Sequence, residues 1–350
     1  MPISRVFRED IEQTVNSPEI PWREMEGSTV LVTGATGLIG EALVRVLAAG
    51  NTRYALGLRI IAHGRNKAKG NMLSQECDAE FIAGDIRSPL PDGLRSETDS
   101  YVFHCAAVTK SAMMVAKPIE TMMTSLDGTR NVLEWSRCNR MKSIVFLSSM
   151  EVYWQSNSNE MRETDMGYLD LRNPRTCYPE SKRLCENMCA CYAAEYGVSV
   201  KIARLAQTFG AGSPKNDTRI FAQFARSVVN GENIILHTNG MSRGNYCYTS
   251  DAIMGLLIIL LKGAAETYNI ANPASSMTIY EMAEAVASKV CGGKISVETR
   301  ISQGLTERAY SPHVGYRLNI NKLKDLGWQP RYGLLDMYRR MIADWQENET

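Results

Sequence analysis

The chain predicts an α/β fold, a doubly wound parallel sheet with a smaller C-terminal domain. Three observations predict it. Short apolar runs without polar alternation recur over residues 28–205, as strands covered on both faces require. Segments with helical spacing separate them. A glycine-rich turn, TGATGLIG (33–40), joins the first run to the first helix.

Residues 1–27 read as a polar extension with a short helix, ending near Pro21 and Gly27. STVLVTG (28–34) reads as a strand and LIGEALVRVLAAG (38–50) as a helix stopped by Gly50. LRIIAHG (58–64), AEFIAGD (79–85) and SYVFHCAA (100–107) are strands. A helix at 118–138, the strand MKSIVFLSS (141–149), a helix from about Tyr178 to Tyr196 and the strand SVKIARL (199–205) follow. Beyond residue 206 the pattern loosens into loops such as FGAGSPKNDTR and HTNGMSRGN. The run IMGLLIILL (253–261) is shorter than the roughly 20 residues a bilayer needs. With TSD before it as capping residues, it reads as a buried core helix. A helix-rich region runs from Thr278 to the end. The expected division is an extension (1–27), a sheet domain (28–205 with 246–272) and a smaller domain (206–245 with 273–350). The smaller domain would close over the carboxyl edge of the sheet, where open α/β folds bind ligands.

The 350 residues are 44% hydrophobic, enough for one or two domains. Lys+Arg 39 against Asp+Glu 38 leaves a net charge of +1, and no long single-sign run occurs. That points away from nucleic acid and membrane surfaces and leaves open a basic local pocket for a small phosphorylated ligand. MPISRVFREDIEQ carries no signal core and no transit pattern. The nine cysteines form no CxxC pair. Cys185, Cys189 and Cys191 share one helix as small buried thiols rather than a metal set, and a reducing cytoplasm is expected.

In TGATGLIG, Gly34 permits the tight turn, Gly37 lets backbone approach a pyrophosphate and Gly40 allows close helix–strand packing. The helix N-terminus adds a positive dipole end. A plain glycine turn is the bland alternative. At the end of the second strand, where an acid would hold a ribose 2′-hydroxyl, AHGRNK has none. Arg65, with Lys67 or Lys69, favours NADP(H) unless it is only a solvated arginine. Asp85 and Ile86 would flank an adenine, or Asp85 is a turn residue.

Tyr178 and Lys182 lie four residues apart, on one helix face. A phenol with a pKa of about 10 is a poor base, and a neighbouring cation should lower it. Ser149, at the end of a sheet strand, could donate to the oxygen that Tyr178 deprotonates, or simply cap that end. TGATGLIG, HCAA (104–107), SSMEVY (148–153), YPESK (178–182), TFGAG (208–212), GNYCYTSDA (244–252) and LNINKLKDLGW (318–328) together resemble the NAD-dependent epimerase/dehydratase family of extended short-chain dehydrogenase/reductases.

The resemblance implies a Rossmann-type domain, a tightly held NAD(P), a nucleotide-sugar substrate and a homodimer through the helices at 118–138 and 178–196. It assigns catalysis to Ser149, Tyr178, Lys182 and Glu151. It assigns cofactor contacts to Gly34, Thr36, Gly37, Leu38, Ile39, Gly40, Arg65, Asp85, Ile86, Ala106, Ala107, Tyr178 and Lys182. Thr109, Lys110, Met150, Gln207, Arg219 and Arg243 are the expected substrate residues, and Lys110, Arg204, Arg219 and Arg243 the diphosphate candidates. Tyr178 would take a proton from a sugar hydroxyl, usually at C4, while hydride passes to the nicotinamide. In the resulting 4-keto sugar Glu151 could remove the C5 proton, or instead hydrogen-bond backbone at the strand end. Met150 stands where dehydratases place an aspartate, and a thioether has no proton to give. Gln207, Gly244 and Ser125 also depart from the family pattern, at positions usually held by asparagine, arginine and asparagine. Two activities are therefore expected: an epimerase/dehydratase working through a transient 4-keto sugar, or an NADPH-dependent ketoreductase. A non-catalytic dinucleotide-binding protein is the third reading.

Overall fold

The computed structural model describes residues 3–91, 99–139, 141–301 and 315–348. After helix α1 (Arg5–Val15) come β1 (Thr29–Thr33), α2 (Leu38–Tyr54), β2 (Arg59–Gly64), α3 (Lys67–Cys77), β3 (Glu80–Ala83) and β4 (Ser100–His104). Then follow α4 (Ser111–Ala116), α5 (Pro118–Cys138), β5 (Ser143–Ser149), β6 (Glu160–Met161), α6 (Cys177–Tyr196) and β7 (Val200–Leu205). The remainder holds β8 (Gln207–Phe209), α7 (Ile220–Asn230), β9 (Ile234–Leu236), β10 (Arg243–Tyr248), α8 (Thr249–Lys262) and β11 (Thr267–Ile270). It ends with β12 (Asn272–Thr278), α9 (Ile279–Ala285), β13 (Val297–Thr299), β14 (Arg317–Leu318), α10 (Asn321–Lys324) and α11 (Leu334–Glu347).

Seven strands form one sheet in the order β11-β7-β5-β4-β1-β2-β3, and every neighbouring pair is parallel. The chain winds outwards from β1 in one direction and from β4 in the other. A crevice therefore opens at the carboxyl ends of those two strands. All five residues of β1 are buried. Val30 and Val32 pack with Leu43 and Leu47 of α2 and Leu256 and Leu260 of α8. Leu31 faces the other way, towards Val132 and Leu133 of α5 and Cys185 and Cys189 of α6. Helices on both faces explain why the strands show no alternation.

A second core gathers Phe209, Phe221, Tyr246, Met337 and Trp345 around the three-stranded sheet β12-β10-β8. Among the described residues no helix is long and apolar enough to cross a membrane.

Three expectations differ from the structure. Helix α2 runs through Gly50 to Tyr54, and Ala55 in the left-handed region caps it. Gly50 serves packing instead: a Cβ there would lie 2.8 Å from the Trp22 ring. The TSD residues lie inside the first turn of α8 rather than capping it. The Asp251 carboxylate instead accepts the backbone N–H groups of Arg331 and Tyr332, at 3.0 and 3.1 Å. The N-terminal stretch buries an apolar stripe, Val6, Phe7, Ile11 and Val15, in the main core together with Ile20, Trp22 and Met25. Its polar average hid that stripe. Asp10 accepts from the Tyr248 hydroxyl at 2.5 Å and from Arg340 at 2.7 Å, tying α1 to β10 and α11.

Candidate active site

A cleft of about 1620 Å³ opens at the carboxyl ends of β1, β2, β4 and β5, and residues of β8, β10 and the loops around 218 and 240 close it. That exceeds the roughly 300–1,000 Å³ of an ordinary ligand pocket, so a dinucleotide and a second molecule fit together.

The glycine loop forms one wall. Gly34 has φ +68°, and a Cβ there would meet the Ala106 backbone at 2.8 Å. A Cβ on Gly40 would sit 2.2 Å from the Gly34 carbonyl oxygen, so the loop can press this tightly only without side chains. Gly37 caps α2, and Thr36, Leu38 and Ile39 line the cleft beside it. Backbone N–H groups at the N-terminus of this 17-residue helix suit a pyrophosphate. Both features fit an NAD(P) cofactor.

At the end of β2 the cleft meets His63, Gly64, Arg65 and Asn66, with no acid among them. Lys69 is engaged elsewhere, paired with Glu41 at 2.7 Å. Asp85 and Ile86 line the same end. The Asp85 carboxylate binds the Arg87 guanidinium at 2.8 Å and accepts its backbone N–H at 3.0 Å, which holds the carboxyl down at about 2. Ala106, Ala107 and Thr109 follow along the β4 edge.

Ser149, Met150, Glu151, Tyr178 and Lys182 all line the cleft. Ser149 ends β5 and its Oγ accepts the Glu151 N–H at 3.2 Å, so it caps the 3-10 turn Met150–Tyr153 while facing the cleft. Lys182 is buried, and its Nζ donates to the Leu147 carbonyl at 2.7 Å and lies 6.0 Å from the centre of the Tyr178 ring. Burial lowers the Lys182 pKa. Tyr178 departs from expectation: burial pushes its phenol up, with the Glu151 charge adding to the rise, against the pull of the neighbouring Ser149 hydroxyl and the charges of Arg175 and Arg219. In the protein alone desolvation outweighs the neighbouring cations.

Glu151 does not bond strand-end backbone. Its oxygens take Nη2 of Arg175 at 3.2 and 3.0 Å. Gln207, Arg219 and Arg243 line the opposite wall. Arg219 is held by Asp217 at 2.6 Å and Arg243 donates to the Ser276 carbonyl at 2.7 Å. Lys110 stands outside the lining, preceding α4. Arg204 is buried and paired with Glu186 at 2.6 Å beside the Tyr153 hydroxyl, so it organises the core under β7. Ser125 is buried within α5.

Arg175, Trp154, His63 and Tyr316 also line the cleft and went unread in the sequence. A cation one turn ahead of Tyr178 and a tryptophan closing SSMEVYW were the available signals.

A glycine cradle at a parallel-sheet switch point, facing a serine, a tyrosine and a lysine, defines an extended short-chain dehydrogenase/reductase. The model of the NAD dependent epimerase/dehydratase family matches residues 30–271. The chain belongs to that family of NAD-dependent enzymes. It is 28% identical over 332 residues to UDP-glucuronic acid decarboxylase 1 of Danio rerio, covering 94% of this chain and 76% of that one. With UDP-glucuronic acid decarboxylase 6 of Arabidopsis thaliana the identity is 26% over 320 residues, 91% of this chain and 88% of that one. Among solved structures, dTDP-glucose 4,6-dehydratase from Streptomyces venezuelae with NAD bound shares the fold at TM-score 0.77 and 23% identity, over 92% of this chain and 98% of that one. UDP-glucose 4-epimerase from Thermotoga maritima aligns at TM-score 0.76 and 21% identity, over 92% and 100%.

Proposed function

We propose that the chain oxidises a nucleotide-linked uronic sugar to a transient 4-keto intermediate, removes its C6 carboxyl group and regenerates its own cofactor. Met150 carries this reading. It lies between Ser149 and Glu151 in the cleft wall, where loss of a C6 hydroxyl would need a proton donor. Carbon dioxide leaves without one. The two relatives named as UDP-glucuronic acid decarboxylases support the same choice.

In this reading Tyr178 takes the O4 proton while Ser149 donates a hydrogen bond to that oxygen. Lys182, whose ammonium has donors beyond its bond to Leu147, orients the cofactor ribose. The glycine loop, Ala106, Ala107, Asp85 and Ile86 hold the rest of the dinucleotide. A bound NAD(P) would supply the acceptor for the C4 hydride and the source of its return. The 4-carbonyl withdraws electrons from the C5–C6 bond, which breaks. The electron pair enters the C4–C5 enolate, and C5 then gains a proton that Glu151 relays from water. Tyr178 finally returns its proton to O4. Thr109, Gln207, Arg219 and Arg243 are the substrate-side contacts.

Purified protein with NAD should release carbon dioxide and a UDP-pentose from UDP-glucuronate. A 4-keto-6-deoxy sugar from UDP- or dTDP-glucose would overturn the choice. A second reading, a net NADPH-consuming ketoreductase, draws on Arg65 at a β2 end without an acid, which also favours NADP over NAD. Stoichiometric loss of NADPH absorbance would mark it. Nine free thiols suit a reducing cytoplasm. Exposed Ile119 and Met123 on α5 and Leu184 on α6 suit a homodimer interface.

A further inference from the structure

Arg175 is 2% exposed, an unusual setting for a permanent charge. Its Nη2 reaches both oxygens of Glu151, at 3.2 and 3.0 Å, and its guanidinium stands 5.5 Å from the centre of the Trp154 ring. Trp154 holds φ +47° with ψ −114°, a positive-φ conformation that a bulky aromatic side chain keeps only when its surroundings enforce it. The 3-10 turn Pro174–Thr176, capped by the Asn173 side chain at 3.0 Å, delivers Arg175 three residues ahead of Tyr178.

Two neighbouring bases in one pocket repel when both are anions. The Glu151 charge opposes ionisation of the Tyr178 phenol, and the Arg175 charge favours it. We propose that Arg175 is a positioning residue: clamped between Trp154 and Glu151, it balances the carboxylate so that Tyr178 and Glu151 can serve side by side. The inference rests on reading Tyr178 as the base for O4 and Glu151 as the C5 group. Among the described residues, the charged and titratable groups facing Tyr178 from the surrounding elements include Glu151, Arg175, Arg219, Lys182 and the buried thiol of Cys177.

The test follows the Tyr178 ring carbon by NMR in NAD-loaded protein with 13Cζ-labelled tyrosine, assigned by its loss in Tyr178→Phe. Relative to wild type, Tyr178 should titrate about one pH unit higher in Arg175→Gln and about one unit lower in Glu151→Gln. The double substitution should return towards wild type, and Arg175→Lys should stay near it. The pH limb of hydride transfer, read at 340 nm on mixing with UDP-glucuronate, should keep the same order. Coincident phenol titrations in these proteins, or none within reach in Glu151→Gln, overturn the inference even if hydride transfer proceeds. Shifted titrations without hydride transfer from any nucleotide sugar overturn the substrate reading and leave the charge balance around Tyr178 standing. Should Arg175→Gln not fold, Glu151→Gln against the double substitution decides: equal titrations overturn the proposal.

Discussion

Tyr178 and Glu151 divide the proposed reaction between them, so their substitutions should fail differently. Tyr178→Phe removes the proton acceptor and should lower hydride transfer about 10²–10⁴-fold, with the fold retained by circular dichroism. Glu151→Gln should leave the first hydride transfer at neutral pH within a few-fold. It should slow the final product by about 10²-fold, so that keto sugar accumulates in rapid-quench samples. Equal loss of both steps would reduce Glu151 to a structural role. Tyr178 stood out in the sequence because one helix turn places it beside Lys182 without reference to distant residues, and Glu151 stood out through the family resemblance of SSMEVY. Arg175 and Trp154 did not, because their roles arise only where a 3-10 turn lands on the β5 loop. The direction of the Tyr178 shift was also out of reach, since burial is a property of everything packed around the ring.

Among the elements, α2 shows how local and tertiary signals part. Its start at Leu38 follows from the glycine turn before it, but its end does not follow from Gly50. Gly50→Ala gains about 1 kcal/mol of helix propensity and meets the rigid Trp22 ring at 2.8 Å, an overpacking that costs about 1–3 kcal/mol. The clash should win, and thermal unfolding of Gly50→Ala should fall by a few degrees. A rise would mean that Trp22 can swing aside. In α8, likewise, TSD looked like a cap, and Asp251 instead holds the backbone of a segment 80 residues away in sequence.

Over the whole molecule, the buried carboxylates couple stability to pH. Burial pushes Asp251 up to about 7 and Asp10 up to about 6, far above an unfolded aspartate. A raised carboxyl pKa stabilises fully below about 4, and that stability is lost as pH climbs through 7. His104, held down at about 3 by burial, works in the opposite sense, losing stability as pH falls below about 6.5. The two trends offset each other in wild type. Asp251→Asn removes one of them, so its stability relative to wild type should improve between pH 4 and 7, by on the order of 4 kcal/mol. Denaturant titrations at both pH values measure this, and a flat difference would refute it. For the proposed dimer, light scattering should give twice 39.0 kDa, and Ile119→Glu with Leu184→Glu should halve it.

Apolar runs buried on both faces, the glycine turn and the serine, tyrosine and lysine positions could be read directly, because each depends on neighbours within a few residues of chain. Packing alone sends Arg204 into the core, engages Lys69 with Glu41, folds the N-terminal helix against α2, α8 and α11, and seats Arg175 against Glu151. Those are contacts between segments far apart in sequence, and a buried charge takes its meaning from the partner it meets there.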